Sequence, residues 1–428
     1  MRRARVYPYR WIILGTLMGA ILVSQMQWFA LAPVARAATK FYGAQVSRTA
    51  IDLLTLIFPL GFLIFYLPAA KIIDRVGLKN TLRLSAIILT LFSLVKGVGS
   101  NFYWLVLVSQ IALAVAYALI VSSVKFIIPR WFPLPERGFA TGLVTLAHYL
   151  GLILAMVVSP LVVKSNPLGA NYGEGVRPLL FYLGIVSVAF ALALFFLFKE
   201  SPPTPPSKDE VTTMALGPTL KFITGNRGLF IFTLIFGLVW GLFNTFMAKI
   251  DGVAAFMGID KSNGFVGLIL LGGGLVGSMV IPYLSDFFKK RKLFFFISLA
   301  GIFLATLAFI FVPLLKRGYI LGYIAAGFLG FFFQSAIPLG LQYGAELSNP
   351  IAESSIQTIL MLKGHLVGSL LIFLMIIKDG ALFTPFLLVS IVLLFLAMAA
   401  LLFVEESTHI VTEEERFAGA LEETIKGE

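Results

Sequence analysis

Residues 199–222 read KESPPTPPSKDEVTTMALGPTLKF, and the reading of this stretch settles the organisation of everything around it. Prolines at 202, 203, 205 and 206 lack the N–H that a helix needs, and the flanking charges resist entry into lipid. The stretch is therefore an extended, solvated linker. On both sides of it the chain turns apolar. A helix needs roughly 20 apolar residues to cross a bilayer. Six such segments precede the linker, near 11–35, 50–73, 82–98, 102–128, 138–163 and 178–198. Six follow it, near 228–254, 263–286, 293–314, 319–345, 355–377 and 382–404. The expected architecture is an all-α membrane protein with twelve transmembrane helices in two pseudo-symmetric six-helix bundles, 1–199 and 228–404. A cytoplasmic linker over 200–227 joins them, and a cytoplasmic tail covers 405–428.

Composition points the same way. The 428 residues are 59% hydrophobic and 13% charged, with a mean hydropathy of +0.95, values that a water-exposed surface does not tolerate. Cysteine is absent, which removes disulfides, thiolate metal sites and cysteine nucleophiles together. His148, His365 and His409 lie far apart in sequence, so a metal cluster has little to build from. No nucleophile-base motif is legible, so neither an enzyme nor a cofactor is expected. The first segment follows MRRAR directly and is too long for a cleaved leader, so it reads as a retained helix.

Lysines and arginines concentrate on the cytoplasmic side of membrane proteins. With the N-terminus inside, that side receives Arg2, Arg3, Arg5, Arg75, Lys79, Arg130, Arg137 and the run from Lys289 to Lys292. The opposite side keeps fewer, among them Arg36, Arg48, Lys164, Lys261 and Lys378. Both termini are expected in the cytoplasm and the protein in the cell membrane as a multi-pass monomer. The net charge of +12 is accounted for by lipid headgroups, without nucleic acid.

The loop after the second segment reads KIIDRVGLKN, and the one after the eighth reads SDFFKKRK. Each sets an acid at a helix end before a basic turn, the mark of an internal repeat. The first resembles the signature loop of the major facilitator superfamily through Asp74, Arg75, Gly77 and Lys79; the second keeps Asp286 but lacks the glycine. The resemblance implies that Asp74, Arg75, Lys79 and Asp286 form gating latches. QWFALAPVARAATKFYG, SQIALAVAYALIVSSVKFIIPRWF and GFFFQSAIPLGLQYGAELSNPIAESS further resemble the feline leukaemia virus subgroup C receptor-related branch, linked to choline, ethanolamine and haem.

Ionisable residues inside lipid face a bundle interior or a wet cavity. Lys125, Lys249, Lys363, His365 and Glu346 are the candidates, while Lys96 and Lys378 near segment ends read as snorkelling. Lys249 either snorkels or pairs with the nearby Asp251. Lys363 and His365 are two residues apart, about 200° around a helix, and point to opposite faces. His365 goes to the cavity, where the resemblance places a substrate-facing glutamine, or bonds a neighbouring helix. Lys363 then reaches Glu346 or Asp251, or borders the cavity.

Trp28, with Gln27 beside it, occupies a position that the family uses to hold a quaternary ammonium; packing or an interfacial anchor is the alternative. The family's second aromatic falls on Asn244 and its glutamine on Tyr117, with Trp240 one turn before Asn244. Lysines at 125, 249 and 363 would repel a choline-like cation and attract a carboxylate or phosphate. The expected function is therefore transport of a small polar solute, anionic or amphoteric, by alternating access. A choline-like amine or haem, as in the resembled branch, is the alternative, and a non-transporting receptor is the reading from another class. His365 and Glu346 are the groups that could couple transport to protons; uniport is an equal expectation.

Overall fold

The computed structural model describes residues 7–43, 46–204, 216–259, 264–315, 318–349, 351, 353–376 and 383–407. Lys261, Lys378, His409, most of the linker and the tail beyond residue 407 lie outside the described residues. Among the described residues twelve helical spans are long and apolar enough to cross a membrane, as the segment lengths predict.

The first span, Arg10–Tyr42, is broken into α1 (Arg10–Phe29) and α2 (Ala35–Tyr42) around a 3-10 turn over Ala32–Val34. Then come α3 (Arg48–Val76), α4 (Leu78–Val98), α5 (Tyr103–Trp131), α6 (Leu134–Val162) and α7 (Val176–Leu197). The short α8 (Leu216–Gly225) leads into α9 (Arg227–Ala248) and α10 (Ile250–Phe256), which break the seventh segment at Lys249. The remainder is α11 (Phe265–Phe288), α12 (Arg291–Phe311), α13 (Gly318–Leu347), α14 (Glu353–Ile376) and α15 (Phe383–Leu401).

Helices are forced here because lipid offers backbone groups no partner outside the segment. Their sides divide by solvent. On α4, Leu84, Ile87, Leu91, Leu94 and Val98 recur at helical spacing on an exposed, lipid-facing stripe, while Ser85, Ser93 and Lys96 are buried. Helix ends carry local signals: the Ser47 hydroxyl accepts from Ala50 N at 3.2 Å, and the Asn226 side chain accepts from Leu229 N at 3.0 Å.

The two repeat loops meet the same geometric demand differently. Gly77 has φ 87° between α3 and α4, a backbone conformation open to glycine. After α11 the left-handed residue is Lys289, φ 53°, so the second copy keeps the turn although it lacks the glycine.

In the first group of helices α1 packs on α6 and α7, and α4 lies between α5 and α7; in the second, α9 packs on α14 and α11 on α13. The tightest seam is α11 against α13. A methyl added at Gly273 would sit 2.3 Å from the Gly327 carbonyl oxygen, at Gly277 2.0 Å from that of Phe331, and at Gly330 1.7 Å from that of Leu270. Small residues let these backbones touch. Gly272, one position away, has nothing within 4 Å of such a methyl. Gly330→Ala should therefore lower stability by about 1–3 kcal/mol through overpacking, read as a fall in melting temperature in detergent. Gly272→Ala should leave it unchanged or slightly raised.

Candidate functional site

Rings from both groups of helices meet near the midpoints of their spans. Trp28 at the end of α1 stacks on Phe58 of α3, centroids 5.3 Å apart and planes within 5°, and its indole N–H donates to Thr55 O at 2.8 Å. Phe58 and Phe62, one turn apart on α3, both meet Tyr117 of α5, at 6.0 and 6.3 Å. Phe62 crosses to α14, where its ring lies 4.3 Å from His365. His365 in turn meets Trp240 of α9 at 5.7 Å. The Tyr117 hydroxyl and His148 Nδ1 of α6 share a hydrogen bond of 3.2 Å.

Beside these rings are polar atoms with no hydrogen-bond partner among the described residues. They are Asn244 Nδ2, Trp240 Nε1, His365 Nδ1 and Ser369 Oγ, while the buried Gln25 side chain reaches the Tyr117 hydroxyl. Asn244 lies one turn beyond Trp240 on α9, and Ser369 one turn beyond His365 on α14. Gly364 and Gly368 of α14 face Trp240 and Asn244, so the two helices present these groups together. All but Trp240 belong to side chains more than nine-tenths buried. A buried polar group without a partner costs about 1–3 kcal/mol, so such a cluster is kept where something polar is to be held.

The lysines are arranged otherwise than the sequence suggests. Lys363 donates to Thr233 Oγ1 at 2.5 Å and lies over the Phe230 ring, so it faces α9 instead of Glu346, Asp251 or the rings. Lys125 sits over Tyr66 and Phe126 and faces the charge of Asp74, toward the end that carries the termini. Lys96 does not snorkel: it is 1% exposed and bonds Gln27 and Gln110. Gln27, expected beside the solute, is turned toward α4 and α7, where it also donates to Ser187 Oγ at 3.0 Å. Lys249 does not pair with Asp251. Its partner is Asp52 of α3, because the break at Lys249 turns the next residues onto a different face.

Asp251 is held by Arg36 of α2, whose Nε and Nη2 donate to Oδ1 at 3.0 and 2.9 Å while its backbone N–H donates to Oδ2 at 2.9 Å. These pairs join the two groups of helices at the face opposite the termini. Beneath them Leu56, Ala248, Ile372 and Ile376 form an apolar plug. At the same face a methyl on Gly264 would meet the Met156 carbonyl oxygen at 2.0 Å, so α11 closes on α6. This face is shut.

At the terminus-bearing face Asp74 and Arg75 end α3 exposed, and neither they nor Lys79 form an ion pair with another described residue. Asp286 pairs with Arg291, which is 0% exposed and also grips Glu346 at 3.1 Å, tying α11, α12 and α13 together. A cleft of about 840 Å³ beneath α8, lined in part by Lys221, Asn226, Arg227 and Glu405, lies apart from the rings. Sequence reasoning missed Phe58, Phe62 and Asp52. Asp52 was findable as an acid inside the apolar run TAIDLLTLIF.

Residues 17–371 match the family model of the Major Facilitator Superfamily. The chain belongs to that superfamily. It is a multi-pass membrane protein whose function is solute transport. Among curated relatives, the choline/ethanolamine transporter flvcr2a of Danio rerio is 25% identical over 85% of this chain and 79% of its own length. Choline/ethanolamine transporter FLVCR1 of Felis catus is 26% identical over 82% of this chain and 64% of its own length. Solute carrier family 49 member A3 of Xenopus tropicalis is 26% identical, covering 85% and 77%. These relatives belong to the branch that the helices resemble. A D-xylose-proton symporter shares the fold with a TM-score of 0.74 at 15% identity, covering 94% of this chain and 99% of its own. A bacterial homologue of the human lysosomal transporter Spinster, inward-facing and occupied, gives 0.68 at 14%, covering 93% and 97%.

In a superfamily that works by alternating access, the ion pairs at the shut face have a testable role. A cysteine placed at Leu56 is unique in this chain and lies under them. In sealed vesicles with that face outward, adding Arg36→Gln should speed its labelling by an impermeant maleimide about tenfold, as loss of one partner destabilises the closed arrangement. Unchanged labelling would remove Arg36 and Asp251 from the gate.

Proposed function

We propose that the protein carries a small amine with an oxygen-bearing group, an amino alcohol or a zwitterion, by facilitated alternating access. The observation that carries this reading is the set of partnerless polar atoms between aromatic rings of both groups of helices. The faces of Trp28, Phe62, Tyr117 and Trp240 attract an ammonium by about 0.5–2 kcal/mol each where they reach it. Asn244 Nδ2 and Trp240 Nε1 are donors that suit a hydroxyl or carboxylate oxygen. The names of the choline/ethanolamine relatives support the amine.

A purely anionic solute is less well served, since Lys363 and Lys96 are committed to Thr233 and to amide oxygens. The moving units are residues 1–199 and 228–404, linked through 200–227, in a monomer that sits in the cell membrane with both termini in the cytoplasm and performs no enzymatic chemistry. Uniport is favoured over proton coupling, because Glu346 is committed to Arg291 and no carboxylate bonds the ring cluster among the described residues. Asp74, Arg75 and Lys79 act at the terminus-bearing face in the opposite state.

Purified protein should be stabilised against heat by choline, ethanolamine or glycine betaine, and not by phosphate or acetate. Trp28→Ala and Trp240→Ala should each weaken that binding by about 1–3 kcal/mol, while Lys363→Gln leaves it within about twofold. Stabilisation by simple anions, lost in Lys363→Gln, would overturn the amine reading.

A further inference from the structure

α1 ends at Phe29 in the middle of its span. Pro33 has no N–H to return to the Phe29 carbonyl four residues back. A helix end leaves its last carbonyls without intrahelical partners and gathers the negative end of the macrodipole. In transporters such ends, opened in the middle of the membrane, are places where inorganic cations are held.

Here the place is taken by a side chain. Lys96 Nζ of α4 lies 2.8 Å from Gln27 O, 3.0 Å from Gln27 Oε1 and 2.7 Å from Gln110 Oε1. All three are acceptors. A neutral amine has only two N–H bonds, so three acceptors with no donor among them match an ammonium. No carboxylate contacts it among the described residues; its charge is balanced by carbonyl and amide dipoles alone. The amides are fixed in their turn. Gln27 Nε2 donates to Ser187 Oγ of α7 at 3.0 Å, and Gln110 Nε2 donates to Leu54 O of α3 at 3.1 Å and to Trp28 O at 3.4 Å. Trp28 is thus held at its backbone by Gln110 and at its indole by Thr55 O.

We infer that Lys96 is a tethered cation that fills the position a free monovalent cation would take at the broken α1, and that it is the positioning residue for Trp28. The wild-type chain then needs no inorganic cation to hold this wall of the site. Lys96→Ala removes three carbons and the nitrogen, and so leaves a gap that fits propylammonium. The inference does not depend on which solute is carried.

Hydrogen exchange of the amides of residues 26–35, followed by mass spectrometry in nanodiscs, reads the order of this break directly. Wild type should exchange at one rate in sodium, potassium or N-methylglucamine chloride. Lys96→Ala should exchange about tenfold faster, and millimolar propylammonium should bring it back toward wild type while 1-propanol does not. Lys96→Met keeps the volume without the charge, and should stay fast with or without propylammonium. Wild-type exchange in folded Lys96→Met or Lys96→Ala, equal recovery by 1-propanol, no recovery by propylammonium, or a sodium requirement in wild type would each overturn the inference.

Discussion

A charge inside a bilayer has no water to turn to, and this requirement fixes how the helices of the protein meet. Five internal basic groups are each given oxygen by another helix, while Lys125 lies over the Tyr66 and Phe126 rings. Lys96 of α4 takes the amides of α1 and α5, Lys249 takes Asp52 of α3, Arg36 takes Asp251 of α10, Arg291 takes Glu346 of α13, and Lys363 takes the Thr233 hydroxyl of α9. Apolar packing against lipid-like neighbours gives little orientation by itself, because lipid tails are as apolar as leucine. The polar contacts supply what packing lacks: a register and a rotation for each helix.

The contacts fall into two kinds, and the difference is mechanical. Lys96 and Arg291 bond within one group of helices and are almost wholly buried, so breaking them would strand a charge in lipid. Such contacts hold a rigid body together. Arg36–Asp251 and Lys249–Asp52 run between the groups, close to one membrane face, and the Arg36 side chain is 19% exposed. Their partners can hydrate as they part. Hydration of the separated groups at this face offsets part of the cost of breaking these pairs, whereas removal of one partner while the face is shut leaves a buried charge uncompensated; the plug of Leu56, Ala248, Ile372 and Ile376 completes the seal.

Lipid imposes length and apolarity on every span, so the twelve helices and the loops around Gly77 and Asp286 were legible in the sequence. The ring cluster was partly legible: Trp28, Tyr117 and His365 stand at positions the resemblance singles out, and Trp240 lies one turn before Asn244, where the family has its second aromatic. The pairings were not. Lys96 stands near the end of α4 and looks free to reach an interface, and only its packing against α7, where Gly97 meets the backbone of Phe181, closes that route. Asp251 is two residues from Lys249 and looks like its partner, but the break between α9 and α10 sends them to different helices. Partner choice of this kind is a property of tertiary approach, which neither hydropathy nor spacing encodes.

The neutrality of the ring cluster bears on how transport is driven. Among the described residues no carboxylate bonds the rings, and Lys96, the nearest ammonium behind Trp28, is already balanced by three oxygens. An amine held there is bound by π faces and dipoles, each worth about 0.5–2 kcal/mol, without a full ion pair. A carboxylate in the same place would bind the cation more tightly, but it would also leave an unpaired charge in the membrane once the solute departed, and protonation would be the route to resetting it. A neutral site has no such debt to settle. On the proposed reading, the emptied carrier can reorient as readily as the loaded one, which is the condition for equilibrative uniport, and the fixed ammonium at the α1 break removes the corresponding need for a travelling cation.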